Sequence, residues 1–170
     1  MIETKQWLVV YTNSRAEKKV SIELDFQGIV NYLPLQRKLR KWSDRKKWVE
    51  IPLISGYIFV HIDPKEYEKV LKTSGVVAFV KFGGKAAVVP DDQIYFIKKM
   101  LREPDIDVEV SHQLLQQGDE IMVTSGPLIG LKGKLISFKG KKRVAVEIIQ
   151  LNLSLIVEFQ VDEIDKSFGL

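Results

Sequence analysis

The sequence contains no cysteine and only two histidines among its 170 residues. Without cysteine the chain cannot form disulfides, thiolate zinc sites or a cysteine nucleophile. His61 lies in an apolar segment and His112 in a polar one, and neither has an acid at metal-ligand spacing. We interpret both as structural histidines. Phosphate-loop and catalytic-serine motifs are also missing, so we expect no metal, no cofactor and no enzymatic activity.

Long apolar runs are missing as well. The run GVVAFV, among the longest, is far shorter than the roughly 18 apolar residues that a membrane helix needs. The first residues, MIETKQWLVVYTNSR, lack the small-residue cleavage pattern of a signal peptide. We therefore expect a cytoplasmic, monomeric protein without a membrane segment.

The charge is distributed unevenly along the chain. Residues 1–100 carry 18 Lys or Arg against 11 Asp or Glu, whereas residues 101–170 carry 8 against 11. A basic first part and a mildly acidic second part indicate two modules with different partners. The alternative is the chance scatter of charge in a small protein.

The most basic segment is RKLRKWSDRKKW at residues 37–48, with seven Lys or Arg, two Trp and one acid. Cations near phosphates release condensed counterions, and Trp or Arg faces stack on unpaired bases. The segment is therefore either a binding surface for a polyanion or a solvated hairpin tip, since Lys and Arg side chains readily keep their charges in water.

The first hundred residues alternate between strand and helix patterns. The run QWLVVYT predicts a buried strand. Ser14 and Glu17 have capping-box spacing and predict a helix start, and Gly28 predicts its end. The core stripe of this helix recurs every fourth residue, at Ala16, Val20 and Leu24.

Further elements complete a β-α-β-β-α-β order. A long basic hairpin and the strand GYIFVHI come first, and Asp63-Pro64 then starts a second helix that extends to about Thr73. A strand at GVVAFVKF and a last helix after Pro90, with Ile94, Ile97 and Leu101 inside, end the series. This order predicts an α+β, ferredoxin-like domain over residues 1–102, with helices on an antiparallel sheet.

The polar segment EPDIDVEVSHQLLQQ has no clean periodicity, and we interpret residues 103–116 as a linker. Short strands separated by glycine-rich or polar turns follow, which predicts a small all-β barrel over residues 117–170. The predicted strands are DEIMVTS, LKGKLISF, KRVAVEIIQ, LSLIVEFQV and DEI. Glycines and a proline penalise helices in this part, so we expect residues 115–166 to form β-structure rather than a helical hairpin.

A glycine-rich turn between the first two of these strands carries the most specific motif. The segment VTSGPLIGLKGKL resembles the KOW motif of transcription elongation factors and ribosomal proteins. The matching positions are Gly126, Pro127, Gly130, Lys132 and Gly133.

Four motifs in order, WLVVYTNSRAEKKV, PLISGYIFV, GVVAFVKFGGKAAVVPDDQI and the KOW motif, make the chain resemble NusG-type proteins. These have an NGN domain followed by a KOW barrel. The segment LRKWSDRKKWVEIPLISGYIFV most resembles the specialised UpxY- and RfaH-type paralogues. The former act as antiterminators of capsular and other surface-polysaccharide operons.

The resemblance implies a binding site for the clamp helices of RNA polymerase, in its β′ subunit, at Tyr11, Ile54 and Tyr57. A tyrosine combines apolar area with a polar tip, which suits an interface. The family usually has Phe-Pro where this chain has Ile54-Ser55, so the turn loses proline rigidity. The alternative is that both tyrosines only complete the core of the domain.

The resemblance also implies contact with the non-template DNA strand at the upstream edge of the transcription bubble. Lys19 matches a basic position that approaches DNA in specialised relatives, and Trp42 is available for stacking. The complete set of candidate nucleic-acid-binding residues is Arg15, Lys18, Lys19, Arg40, Lys41, Trp42, Arg45, Lys46 and Lys47.

Together these expectations describe an antitermination factor that binds polymerase and suppresses pausing or termination, with a KOW domain that recruits a ribosomal protein or a termination factor. Three alternatives stay open. They are a general NusG-like elongation factor, a KOW-type RNA-binding protein associated with the ribosome, and a structural adaptor that binds another helix pair.

Overall fold

The structure is a computed structural model that describes residues 4–115, 118–138, 141–159 and 164–165. It consists of two compact units, Met1–Asp91 and Asp92–Leu170. Both contain antiparallel sheets, and the chain has a mixed α/β fold, as the sequence predicted. Among the described residues, no helix is long and apolar enough to cross a membrane.

The first unit is built on an antiparallel sheet with the strand order β2-β5-β1-β6. Strand β9 also pairs with β1, at Trp7 and Leu8, on the edge where β6 pairs farther along. The two helices of the series lie between β1 and β2 and between β5 and β6, which is the predicted β-α-β-β-α-β connection. The strands are β1 (Gln6–Thr12), β2 (Val30–Tyr32), β3 (Leu35–Lys41), β4 (Lys46–Pro52), β5 (Tyr57–Ile62), β6 (Val76–Phe79), β7 (Lys81–Phe82), β8 (Lys85–Ala86) and β9 (Val88–Val89).

Helix α1 (Glu17–Phe26) packs its apolar stripe against the sheet. Val20 and Leu24 are fully buried in the core cluster with Val10, Ile58 and Val60 of the central strands. The helix ends as predicted, because Gly28 takes a positive φ of 72° that suits glycine after a helix.

The predicted capping box at the start of α1 was wrong. The residue before the helix is Ala16, and it has no side-chain capping bond. Glu17 is instead buried and accepts a hydrogen bond from the backbone N–H of Gly56 at 2.8 Å. The carboxylate has turned away from its own helix terminus because a backbone donor in another segment satisfies it.

The second helix begins as predicted, with a complete capping box at Asp63 and Glu66. A 3₁₀ turn (Pro64–Glu66) leads into α2 (Tyr67–Leu71), which ends two residues before the expected Thr73. The predicted strand GVVAFVKF is divided after Phe79 into β6 and β7, because β7 turns through two glycines of positive φ to pair with β8.

The basic segment forms the predicted hairpin. Strands β3 and β4 pair from Leu35↔Pro52 at the base to Lys41↔Lys46 at the tip. The Trp42 N–H donates to the Arg45 carbonyl at 2.7 Å and closes the turn. Among the described strands, β3 and β4 pair only with each other.

The second unit contains helix α3 (Asp91–Arg102) and a six-stranded antiparallel sheet with the order β10-β14-β13-β12-β11-β15. Helix α3 buries Ile94, Ile97 and Met100. Met100 therefore takes the place expected for Leu101, which is only half-buried. The strands are β10 (Val108–Ser111), β11 (Asp119–Val123), β12 (Lys132–Phe138), β13 (Lys141–Ile148), β14 (Leu153–Glu158) and β15 (Ile164–Asp165).

Two predictions about the junction differ from the structure. The sequence placed the last helix at the end of the first domain, but α3 groups with the second unit. In that unit Gln93 donates to the Glu147 carbonyl, and Lys99 donates to the Pro127 carbonyl. The predicted linker at residues 103–116 contains β10, whose Val108 is buried and pairs with Val157 of β14.

Strands β11 to β14 lie where the sequence predicted strands after residue 116. The segment that would have formed a helical hairpin is mostly β13 and β14, joined by a 3₁₀ turn (Ile149–Leu151). The predicted strand residues at 160–163 lie outside the described residues.

Candidate protein and nucleic-acid interfaces

Tyr11 and Tyr57 form a pair at one end of the central strands. They lie directly opposite each other across β1 and β5, with ring centroids 5.0 Å apart and planes tilted by 44°. Tyr11 is 40% exposed, and Tyr57 is half-buried. The pair thus presents an aromatic surface with polar tips, which is typical of protein interfaces.

The environment of Tyr57 favours its neutral form. Burial, followed by the hydrogen bond and charge interaction with Tyr11, raises the pKa of Tyr57 to about 12. Desolvation disfavours the phenolate, and a neighbouring hydroxyl that can itself ionise opposes it further. The Tyr57 hydroxyl therefore stays protonated at neutral pH.

The turn before Tyr57 is held by two backbone contacts. The Gly56 N–H donates to the buried Glu17 carboxylate at 2.8 Å, and the Thr12 N–H donates to the Gly56 carbonyl at 2.9 Å. Gly56 has a φ of +82°, which other residues rarely adopt. Glu17 thus supports the tyrosine pair from α1. No sequence signal could have identified this role of Glu17, because its partner Gly56 lies 39 residues away.

The third predicted polymerase-binding residue does not join this surface. Ile54 is 2% exposed and belongs to the core, as does its neighbour Leu53. Burial of its apolar side chain stabilises Ile54 in the core. The prediction that Ile54 contributes to an exposed patch was therefore wrong, and Tyr11 and Tyr57 carry the surface between them.

The three predicted cations in and just before α1 have different environments. Arg15 and Lys19 are exposed. Arg15 has a φ of +61°, an uncommon conformation for a residue with a side chain. The Lys18 ammonium donates to the backbone carbonyl of Glu50 in β4 at 2.6 Å. Lys18 thus connects α1 to the basic hairpin through this bond, although it is exposed like Arg15 and Lys19.

The basic hairpin (β3 and β4, residues 35–52) places like charges opposite each other. Arg40 pairs with Lys47, and Lys41 pairs with Lys46. Such directly opposed charges destabilise a hairpin, and a bound polyanion would relieve the repulsion. Every predicted cation of the hairpin is exposed.

An arginine guanidinium lies over the ring of each tryptophan in the hairpin. The Arg45 guanidinium lies 5.5 Å from the Trp42 ring, and the Arg37 guanidinium lies 5.6 Å from the Trp48 ring. Trp42 is 44% exposed and Trp48 58%. The sequence interpretation selected Trp42 and missed Trp48 with Arg37. Pairing Arg37 with Trp48 requires the β3–β4 register, which the sequence does not supply.

The predicted KOW residues form a compact turn between β11 and β12. Gly126 and Gly130 have positive φ of 81° and 88°, and the Gly130 N–H donates to the Val123 carbonyl at 2.8 Å. A side chain at Gly133 would meet Val144 Cγ1 at 2.6 Å, so glycine is required by close packing. Pro127 accepts from Lys99, and Lys132 begins β12 in an exposed position.

Comparison with known proteins identifies relatives of this architecture. The family model for the transcription termination factor NusG matches residues 5–98. Among solved structures, the chain is similar to Thermotoga maritima NusG, solved for its domain interaction, with 22% identity, coverage of 96% of this chain and 97% of that chain, and a TM-score of 0.57. That likeness shows a common fold.

The MjSpt4:Spt5 complex also matches. Its conformation A has 16% identity, coverage of 94% of this chain and 96% of that chain, and a TM-score of 0.30. Conformation B has the same identity and a TM-score of 0.32. Since the NusG model matches more than half of the sequence, the chain belongs to the NusG family of transcription factors.

Proposed function

We propose that this chain binds the clamp helices of RNA polymerase, in its β′ subunit, through the tyrosine pair, Tyr11 and Tyr57. The observation that carries the proposal is the exposure of Tyr11 at 40% beside a half-buried Tyr57 on a rigid sheet. Aromatic residues anchored on a fixed scaffold lose little conformational freedom on binding and often dominate interface energies.

The basic residues beside this surface contact nucleic acid, with the non-template strand of the transcription bubble as ligand. Support comes from the exposure of Arg15 and Lys19, from the like-charge pairs of the hairpin and from the Lys18 bond that holds the hairpin to α1. Lys18 acts through the position of the hairpin, since its ammonium is bound to Glu50.

The second unit acts as a KOW domain, with its six strands closed into a small barrel. The NGN domain then corresponds to the predicted residues 1–102 without most of α3. The KOW domain corresponds to the predicted residues 117–170 together with α3 and β10, so that the predicted connection at residues 103–116 belongs to the second unit. The conformations of Gly126 and Gly130 support the KOW assignment. Its partner is a ribosomal protein or a termination factor, as implied by the family.

Bound in this way, the protein suppresses pausing or termination by favouring the elongating state of polymerase. Its targets are operons of the polysaccharide type. Sequencing of nascent transcripts after deletion of the gene tests this specialisation. Readthrough losses confined to one or a few operons support it, whereas changes across thousands of transcripts indicate a general elongation factor.

The polymerase contact is tested by replacing Tyr57 with alanine and measuring affinity for purified core polymerase. We expect a loss of about 1–3 kcal/mol in binding free energy, the range for interface anchors, with an unchanged circular dichroism spectrum. Tyr95→Ala serves as the matched control, because Tyr95 is an exposed tyrosine of the second unit. Equal affinities for both variants would contradict the proposal.

A further inference from the structure

One face of the basic hairpin combines exposed apolar side chains with cations. Successive side chains of a strand point to opposite faces, and directly opposed residues share a face. The register pairs Leu39 with Trp48 and Lys41 with Lys46. The resulting surface, here named the indole face, consists of Arg37, Leu39, Lys41, Lys46, Trp48 and Glu50.

The centre of the indole face is apolar and open. Trp48 is 58% exposed, and Leu39, directly opposite, is 42% exposed. The Arg37 guanidinium lies 5.6 Å from the indole centroid, where it holds the ring by a cation–π contact. Two large exposed hydrophobic side chains side by side on a two-stranded ribbon are costly in water and indicate an apolar ligand surface.

The tip of the same face is cationic. Lys41 and Lys46 are directly opposed and exposed, and they form the next pair on this face after Leu39 and Trp48. A ligand for this face must therefore supply a flat apolar surface and an anion within a few ångströms of each other. Unpaired nucleotides have this combination, because each joins a base with a free π-face to a phosphate.

A duplex fits the face poorly. Its bases are stacked inside, and it presents phosphates and groove edges to a protein. Trp48 and Leu39 would gain no stacking contact against such a surface. An acidic protein would satisfy the lysines, but it has no reason to prefer a tryptophan bracketed by arginine and lysine over any other cationic surface.

We infer that the indole face binds unpaired nucleic acid, with a base stacked on Trp48 beside Leu39 and the adjoining phosphate contacted by Lys41 and Lys46. This inference rests on the proposed nucleic-acid role of the hairpin and assigns that role to one face and one stacking residue. Trp42, at the turn, does not belong to the face and is not the stacking residue.

The test uses the full chain without polymerase and measures the anisotropy of fluorescein-labelled oligothymidylate, oligouridylate and a hairpin duplex of equal charge. Trp48→Ala is expected to weaken binding to the unpaired strands roughly 5- to 100-fold, the range for loss of one base–aromatic stack. Its duplex affinity and salt dependence should stay unchanged, because these depend on phosphate contacts.

Three variants sharpen the result. Phe82→Ala, the matched control at an exposed aromatic residue of β7 outside the hairpin, should retain binding to unpaired strands. Trp48→Phe should retain most of it, because a smaller aromatic ring still stacks. Leu39→Asn should weaken it, and this variant also replaces Trp48→Ala if that variant does not fold. Weaker binding of oligothymidylate, of oligouridylate or of both by Trp48→Ala supports the inference.

The inference is wrong if Trp48→Ala leaves unpaired binding intact, or weakens unpaired and duplex binding equally, or if Phe82→Ala has the same effect. Binding of an acidic polypeptide in preference to the oligonucleotides would also overturn it. Polymerase affinity is measured separately with the same variants. If Trp48→Ala binds unpaired strands normally and the chain still binds polymerase, only this inference is wrong. If Trp48→Ala weakens unpaired binding but the chain does not bind polymerase, only the polymerase proposal is wrong.

Discussion

Tyr57 lies in an environment that opposes loss of its proton, and this property can be measured directly. Burial and Tyr11 raise its pKa from 10.0 to about 12. Because the folded pKa is raised, the stability that this group contributes is fully present below about pH 10 and is lost as the pH rises through about 12.

We therefore expect one tyrosine in an absorbance titration of the native protein to ionise later than the others. Tyr57→Phe should remove this late transition. Tyr11→Phe should move it to lower pH without returning it to 10.0, because desolvation, the largest cause, remains. Tyr67→Phe, at a ring stacked on Phe79, should leave it in place. A late transition that persists in Tyr57→Phe would refute the assignment.

At the scale of elements, the Glu17 carboxylate joins α1 to the turn before β5 through its bond to the Gly56 N–H. Glu17→Ala should lower the free energy of unfolding by about 1–3 kcal/mol, because it leaves a backbone donor without its acceptor. Glu17→Gln keeps an acceptor oxygen and should cost less. The measurement is equilibrium urea denaturation.

The control for this prediction is Glu23→Ala on the exposed side of the same helix, which should change stability by at most about 0.5 kcal/mol. If Glu17→Ala and Glu23→Ala are equally stable, the buried bond contributes nothing to the position of the turn.

The elements were predictable where the local pattern is strong. The run QWLVVYT predicted β1, and the Asp63-Pro64 pair predicted the start of the second helix. Gly28 predicted the end of α1, and its positive φ agrees. Gly126 and Gly130 of the predicted KOW motif take positive φ, a conformation that favours glycine. The resemblance to NusG is confirmed by the family match, whereas the likeness to UpxY-type paralogues stays a prediction.

What escaped prediction depended on tertiary contacts. Glu17 has capping-box spacing, but its partner lies 39 residues away. Ile54 is an apolar turn residue in either an exposed patch or a core, and only the packing decides between them. The β10 strand has four residues in a polar segment, and pairing with β14 is what makes it a strand.

At the scale of the whole molecule, binding to a bubble-containing elongation complex should depend on salt through the exposed cations of the first unit. Neutralising Lys19, Lys46 and Lys47 together should reduce the magnitude of the slope of log affinity against log salt by roughly 2, because about 0.7–0.9 counterion is released per phosphate contact. Titrations of the complex at several potassium concentrations measure it.

Neutralising Lys65, Lys69 and Lys72, in and beside α2, removes the same charge from another surface and should leave the slope nearly unchanged. If the two triple variants have equal slopes, the basic hairpin and α1 do not contact nucleic acid, and the hairpin is a solvated one.

The polymerase contact is tested most directly by photo-crosslinking, with benzoylphenylalanine at position 57 of the full chain bound to an elongation complex. A contact through Tyr57 should give a crosslink that peptide mapping locates in the clamp helices of the polymerase β′ subunit. The same probe at Tyr95 should not crosslink there. Absence of any polymerase crosslink from position 57 in a complex that forms normally, or a crosslink that maps outside the clamp helices, would contradict binding through the tyrosine pair.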